Sequence, residues 1–192
     1  MKKIVVIILM FFSGFAYAAK SLSTLKTLKF DAIEKQNING REKMLKYNVI
    51  IEFPSKIRKE ILSPDLNKGE IYIYDGEKKT IYLPIFDEYK EVEIDGEENK
   101  IIQTINKIRD LEVNYPDFRK EYNQKKLKEL YIDDSKTILV YINEYIEQES
   151  YIIPKSIEIK DNNISLGTVF IENIEINPEL KKENFDLEKG KK

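Results

Sequence analysis

Closely spaced turn signals place the strongest constraint on this chain, because they divide residues 43 to 94 into short segments with the two-residue period of β-strands. The turn signals and strand-ending prolines are Pro54, Asn67-Lys68-Gly69, Asp75-Gly76, Pro84 and Asp95-Gly96. The strand segments between them are 45–51, 56–62, 71–74, 80–83 and 89–94. Hairpins need only a few connecting residues, so this spacing predicts an antiparallel meander.

Strand patterns also lie on either side of this region. Residues 28 to 32 alternate ahead of a turn at Asn39-Gly40, although a helix through Leu25, Leu28 and Ala32 is the alternative interpretation. Residues 19 to 27 fit one or two helical turns. After residue 136 the strand pattern returns in the segments 137–142, 151–159 and 167–176. The sequence therefore predicts two meanders.

Between the meanders the apolar period changes from two residues to that of a helix. Ile101, Ile105 and Ile108 recur at helical spacing between Glu97 and Asp110, which predicts an amphipathic helix of three to four turns. Residues 116 to 130 predict a second helix with sparser apolar positions. The predicted fold is mainly β with α (α+β), in which one strongly curved antiparallel sheet has helices against its inner face.

The first eighteen residues have the three-part layout of a secretory signal peptide. Lys2 and Lys3 are basic, residues 4 to 12 are all apolar, and Ala16-Tyr17-Ala18 is a small-residue cleavage motif. A membrane anchor is the alternative, but it needs about 20 apolar residues. We therefore expect residues 1–18 to be removed and residues 19–192 to form a single exported domain.

The composition argues against several function classes. The chain has no Cys and no His, so disulfides, a lipidated cysteine, a thiolate nucleophile and imidazole chemistry are all unavailable. The acidic pairs Asp133-Asp134 and Glu97-Glu98 read as solvated surface. The 32 basic and 34 acidic residues are interspersed, unlike the basic face of a nucleic-acid binder. We expect no enzyme activity, cofactor, metal or nucleic-acid partner.

Apolar residues on both faces of the predicted strands are the main positive signal. Ile71 and Ile73 share one face of their strand and Tyr72 and Tyr74 share the other. One apolar face could bind a ligand, yet a sheet that packs on a helix needs an apolar face in any case. A one-residue error in the predicted register would move every side chain to the opposite face.

The segment from Lys46 to Ile94 resembles the periplasmic carriers that sort lipoproteins to the outer membrane, the LolA-type family. The matching positions are Pro54, Arg58, Pro64, Asp75-Gly76 and Pro84, and near the C-terminus Asn177 and Phe185. The resemblance implies a half-open β-barrel with helices as a lid over an apolar cavity. It also implies transfer of acylated lipoproteins, or lipid, from an inner-membrane release complex to an outer-membrane acceptor by a monomeric carrier in the periplasm.

One departure from the family concerns the lid. Family members often have an arginine directly before the proline at position 54, where it helps to latch the lid, but this chain has Phe53. Arg58 matches the second arginine of the pattern. We expect Phe53 and Arg58 at the mouth of the cavity, with a strand salt bridge as the alternative for Arg58.

The candidate ligand site combines apolar residues from the strands and the first helix. Its predicted lining is Val49, Ile51, Ile71, Ile73, Ile81, Leu83, Ile101, Ile105 and Ile108. A related sensor or interaction domain is the alternative function, and it predicts a filled core with no space for acyl chains. An envelope hydrolase is a further alternative, and it predicts Ser, Tyr, Lys or carboxylate side chains gathered in one pocket.

Overall fold

The computed structural model describes residues 19–38, 41–76, 78–93 and 99–187. The predicted signal peptide and the predicted turns at Asn39-Gly40 and Asp95-Gly96 lie outside the described residues. The strands are β1 (Thr27–Ile38), β2 (Arg41–Glu52), β3 (Lys56–Ser63), β4 (Ile71–Tyr74), β5 (Lys78–Leu83), β6 (Glu88–Glu93), β7 (Glu129–Tyr131), β8 (Ile138–Gln148), β9 (Tyr151–Asp161) and β10 (Ile164–Ile176). The helices are α1 (Lys100–Asn114) and α2 (Pro116–Asn123), and a short 3-10 turn spans Leu22–Thr24.

All ten strands belong to one antiparallel sheet in the order β6-β5-β4-β3-β2-β1-β10-β9-β8-β7. Strands β1 to β6 form one meander and β7 to β10 form the other, and pairing of β1 with β10 joins them. The sheet is curved but does not close, and the two helices lie between the meanders in the chain. The predicted fold class is confirmed, as is the strand interpretation of residues 28 to 32.

The core lies on the concave inner face of the sheet, where alternate residues of neighbouring strands meet. Leu28 of β1 stands opposite Ile51 of β2, and Phe30 stands opposite Val49. These four side chains are at most 1% exposed. Because side chains alternate between the faces of a strand, this register identifies the inner face along the rest of the sheet.

Helix α1 covers part of the inner face. The Asn99 side chain caps its first turn by accepting hydrogen bonds from the backbone N–H groups of Ile101 and Ile102. Ile105 and Ile108 continue the apolar stripe and are fully buried. The predicted amphipathic helix is therefore present, and its isoleucines face the sheet.

Helix α2 is shorter than predicted. It ends at Asn123, and Lys125 adopts a left-handed backbone conformation just beyond it. Leu130, the last apolar position assigned to this helix, instead belongs to β7 and pairs with Val140. The prediction of a helix to residue 130 was wrong because pairing with β8 buries Leu130 better than the sparse apolar face of a helix could.

Candidate functional site

Five of the predicted lining residues meet between α1 and the inner face of the sheet. Val49 and Ile51 come from β2, and Ile101, Ile105 and Ile108 come from α1. All five belong to one buried apolar cluster. We call the inner residues of β1, β2, β9 and β10 beneath α1 the helix-covered half of the concave face.

Ile81 and Leu83 of β5 also lie on the inner face, but outside the buried cluster. Ile81 stands opposite Tyr72 of β4, so the two side chains share a face. Both Ile81 and Leu83 are only partly buried. With Lys59, Tyr72, Tyr74 and Lys79 they form what we call the tyrosine–lysine half of the concave face.

Ile71 and Ile73 lie on the opposite, outer face, which corrects the predicted lining. The register sets Ile57, an inner residue of β3, opposite Tyr74, so β4 turns its tyrosines inward and its isoleucines outward. Ile73 lines an outer cavity of about 570 Å³ with Leu180 and Phe185 of the C-terminal segment. Both faces of β4 are apolar, so its sequence alone could not decide which face turns inward.

Arg58 lies on the outer face as well, which corrects its predicted place at the cavity mouth. It stands opposite Ile73 of β4, and its guanidinium forms a salt bridge to Glu60 at 2.7 Å. The structure therefore has the alternative arrangement that the sequence left open for Arg58. It is the inward-facing Lys59, between Ile57 and Ile61, that brings a cation to the concave face.

Phe53 lies at the turn between β2 and β3, where it contacts a cation from α1. The guanidinium carbon of Arg109 lies 3.7 Å from the centre of the Phe53 ring. Arg109 Nη1 also donates hydrogen bonds to the carbonyl oxygens of Leu22 and Leu25, at 2.9 and 3.0 Å. Family members often have an arginine directly before the proline. This chain has Phe53 at that position, and Arg109 of α1 supplies the arginine beside it.

Glu112, one turn beyond Arg109, attaches α1 to the N-terminal segment. Its Oε2 accepts hydrogen bonds from the backbone N–H of Leu22 at 2.6 Å and from the hydroxyl of Ser21 at 2.9 Å. We call Phe53, Arg109, Glu112 and residues 21–25 the clamp. Neither charged residue was among the predicted site residues, because an arginine and a glutamate on a helix usually indicate a solvated face.

The environment of the clamp shifts the pKa of both charged groups. Burial raises the pKa of Glu112, which is 4% exposed, while hydrogen bonds from Ser21 and Leu22 oppose the rise. Burial lowers the pKa of Arg109, and the charge of Glu112 opposes that effect. Glu112 Oε1 is buried and has no hydrogen-bond partner among the described residues. The clamp therefore holds α1 at an electrostatic cost.

A cavity of about 270 Å³ remains between the start of α1 and the sheet. Its lining is Glu34, Tyr47, Lys59, Tyr72, Tyr74, Asn99, Lys100, Ile101, Ile159 and Val169. The Lys59 ammonium lies 4.1 Å from the centre of the Tyr47 ring. Burial, followed by the charge of Glu34, raises the pKa of Tyr47. The cavity has a polar and aromatic wall, which differs from the purely apolar lining that we predicted.

The part of the chain that the structure describes has neither a cluster of metal-ligating side chains nor a membrane-spanning helix. No group of three or more Asp or Glu side chains there has the proximity needed to hold a metal ion. No helix in that part is long and apolar enough to cross a membrane.

The comparisons with known proteins bear on the fold. No protein-family profile and no curated protein sequence matches the chain. The crystal structure of a LolA superfamily protein from Nitrosomonas europaea superposes with a TM-score of 0.57 at 9% identity, covering 85% of this chain and 91% of that one. The chain has a LolA-like fold.

Two further solved structures share this LolA-like fold. A DUF1329 family protein from Desulfovibrio piger gives a TM-score of 0.58 at 9% identity, covering 86% of this chain and 91% of the other. A putative outer membrane lipoprotein-sorting protein domain from Vibrio parahaemolyticus gives a TM-score of 0.52 at 8% identity, covering 83% of this chain and 88% of the other. These likenesses establish the architecture, whereas function depends on the side chains of the site.

Proposed function

We propose that this protein carries acyl chains of lipoproteins or lipids on the concave face of its sheet, with α1 as a movable lid. The apolar stripe of α1 is the observation that supports this most directly. Ile101, Ile105 and Ile108 cover the inner face around Val49 and Ile51. An acyl chain offers that face the same apolar contact, so it can replace the helix without exposing the sheet to water.

Opening of the lid is part of this proposal. The 270 Å³ cavity on the inner face is smaller than the roughly 300–1,000 Å³ of ordinary ligand pockets. An acyl chain would therefore enter by displacing α1 from the helix-covered half. Each buried methylene contributes about 0.8 kcal/mol, so a chain of about sixteen carbons offers roughly 12 kcal/mol to offset that displacement.

The clamp would control how easily α1 leaves the sheet. Arg109 and Glu112 hold the C-terminal half of α1 to residues 21–25 through direct hydrogen bonds. Phe53 fixes the Arg109 guanidinium from the other side. The proposal thus gives the latch to an arginine on α1 and to Phe53, which stands where family members often have the arginine before the proline.

The cellular setting belongs to the same proposal. The layout of residues 1–18 supports export to the periplasm, where an acylated protein needs a cover to cross water. The donor would be an inner-membrane release complex and the acceptor an outer-membrane protein. The carrier would work as a monomer of one domain, without catalysis, cofactor or metal.

The test is native mass spectrometry of the mature protein, purified from its own envelope and then titrated with a palmitoylated lipopeptide. We expect copurifying acylated peptide or lipid, and stoichiometric binding of the added lipopeptide. Ile105→Glu should abolish binding, because it places a charge on the buried stripe of α1. Val113→Glu, the same kind of replacement at a position of α1 that is 65% exposed, is the matched control and should bind normally. Absence of lipid and lipopeptide from the wild-type protein would contradict the proposal.

A sensor or interaction domain is the second candidate, and the closed core favours it. The described inner-face residues of the helix-covered half are buried against α1 and enclose little free volume. Such a domain would bind a partner protein or a lipid signal without transporting it. If the wild-type protein binds no acyl ligand in the test above, the sensor or interaction domain becomes the preferred function.

A further inference from the structure

Exposed apolar side chains gather at one end of the sheet. Strand β3 runs to this end, β4 leaves it, and the β5–β6 hairpin turns there, so the loops 64–70 and 84–87 are neighbours. A side chain on Gly69 would contact Pro84 at 3.5 Å, which places the two loops against each other. Leu66 is 74% exposed, Ile85 is 65% exposed and Phe86 is 67% exposed.

Two further exposed apolar residues extend this surface along the neighbouring strands. Met44 and Leu62 are both more than 40% exposed, and they lie near this end of β2 and β3. We call Met44, Leu62, Leu66, Ile85 and Phe86 the apolar rim. Large apolar side chains clustered at such exposure indicate a surface that another phase or partner covers.

The apolar rim is continuous with the inner face of the sheet. A cavity of about 470 Å³ has Met44, Leu45, Pro64 and Leu66 in its wall, and Leu45 packs against the buried core. Glu34 lines both this cavity and the 270 Å³ cavity beside α1. The two cavities are therefore neighbours on the sheet, and together they lead from the core beneath α1 to the apolar rim.

We propose that the apolar rim docks this protein on the surface of a lipid bilayer. Leu66 lies in one turn and Ile85 and Phe86 lie in the neighbouring turn, all three with most of their surface exposed. Exposed apolar side chains of this kind can enter the acyl boundary of a bilayer without a complementary pocket. Phe and Leu are among the side chains with which interfacial segments enter the boundary between headgroups and acyl chains. The inference rests on the proposed carrier function only in treating the adjoining cavities as the route by which an acyl chain leaves the membrane.

The charges around the rim define the kind of bilayer. Lys43, Lys46 and Lys68 are exposed near it, and they are balanced by exposed Asp65, Asp87 and Glu88. A neutral rim receives little attraction from anionic lipid, so insertion of apolar side chains drives the docking. Binding should therefore occur on zwitterionic lipid and should persist at high salt.

The experiment is co-sedimentation of the mature protein with phosphatidylcholine vesicles at low and high salt. We expect the wild-type protein to sediment with the vesicles at both salt concentrations. Leu66→Glu and Phe86→Glu should each lower partitioning by at least about tenfold, because each replaces an inserted apolar side chain with a charge. Val113→Glu is the matched control, since Val113 is 65% exposed at the opposite end of the molecule.

The outcomes separate this inference from the proposed function. Vesicle binding that Leu66→Glu and Phe86→Glu abolish, while palmitoylated lipopeptide still binds, supports a docking rim beside an intact carrier site. Vesicle binding by a protein that takes up no lipopeptide supports the rim and contradicts the carrier. Failure of the wild-type protein to sediment, or equal losses in Val113→Glu, would overturn the rim. A concentration-dependent dimer in analytical ultracentrifugation that Phe86→Glu disrupts would assign the rim to a second copy instead, which also overturns it.

Circular dichroism of each variant checks that the fold is retained. All three substituted side chains are mainly exposed, so the free energy of unfolding should change little. If a glutamate variant does unfold, Leu66→Ser and Phe86→Ser remove the same apolar surface without adding a charge, and the same loss of partitioning is expected.

Discussion

The two halves of the concave face differ in what covers them. In the helix-covered half, Val49 and Ile51 are at most 1% exposed and belong to the same buried cluster as the isoleucines of α1. In the tyrosine–lysine half, Ile81 and Leu83 remain partly exposed. Lys59 lies over the Tyr47 ring, where this half meets the buried core. Under the proposed carrier function, an acyl chain would have to displace α1 from the first half, whereas Ile81 and Leu83 of the second half already meet water. The proposal therefore places the energetic cost of binding in the helix-covered half and the first contact with the ligand in the other half.

Truncation in each half should give the largest contrast. Ile105→Ala should lower the free energy of unfolding by about 2–5 kcal/mol, because it leaves a cavity under α1. Ile81→Ala should cost about 1 kcal/mol or less, since the side chain already meets water. Urea denaturation followed by circular dichroism measures both. Equal losses of unfolding free energy in the two variants would show that the two halves of the concave face are equally covered.

The clamp can be broken from the helix side. Arg109→Ala should cost about 2–3 kcal/mol, because it removes charged hydrogen bonds to backbone carbonyls and the contact with Phe53. It should also speed uptake of lipopeptide by freeing α1. Arg41→Ala, at an exposed position at the start of β2 and away from the clamp, is the control for loss of an arginine. Arg109→Lys should give an intermediate loss, because an ammonium lacks the planar fork.

If Arg109→Ala and Arg41→Ala destabilise the protein equally, the clamp does not fix α1. If Arg109→Ala unfolds part of the chain, limited proteolysis followed by mass spectrometry should find the first cuts in residues 21–25, where the clamp acts.

Two buried tyrosines respond to alkaline pH, Tyr47 at the border between the halves and Tyr122 on α2, where its hydroxyl donates a hydrogen bond to the carbonyl of Ile152. Burial raises the pKa of Tyr47 and of Tyr122 above the ordinary value of about 10. The neutral form of each tyrosine therefore contributes to the free energy of unfolding. This contribution is complete below pH 10 and is lost as the pH rises through the pKa values of the folded state. In an absorbance titration at 295 nm, we expect these two tyrosines to ionise only in a late phase, when the protein unfolds. A Tyr47→Phe variant should lose amplitude only in the late phase, and a loss in the early phase would contradict the burial of Tyr47.

Glu112 should give the smallest effect. Its pKa is raised, so its favourable contribution is present below the ordinary glutamate pKa of about 4.3 and falls as the pH rises through the folded value. Glu112→Gln keeps an acceptor for the Leu22 N–H and removes the charge. The variant should therefore flatten the stability profile just above pH 4.3 in urea denaturation. An unchanged profile would mean that Glu112 titrates as it does in the unfolded chain.

Turn chemistry made most of the strands predictable. Asp75-Gly76 and the prolines at 54 and 84 set boundaries that the structure reproduces to within a few residues. The inward face of β4 was not predictable, because isoleucine and tyrosine are both apolar enough for either side. Nor was the clamp, since it joins α1 to residues 21–25 and such contacts between distant segments leave no local period in the sequence.

The pairing of β1 with β10 sets the order in which this molecule can assemble. The salt bridge between Lys29 and Glu175 joins residues 146 positions apart, at the seam between the two meanders. Each meander can form from local hairpins, but the seam waits until the last long strand is available. Contacts of such long range slow folding. A chain threaded through a membrane from its N-terminus would thus emerge with its first strand lacking one neighbour, and the sheet would become continuous only after nearly all of the chain had crossed.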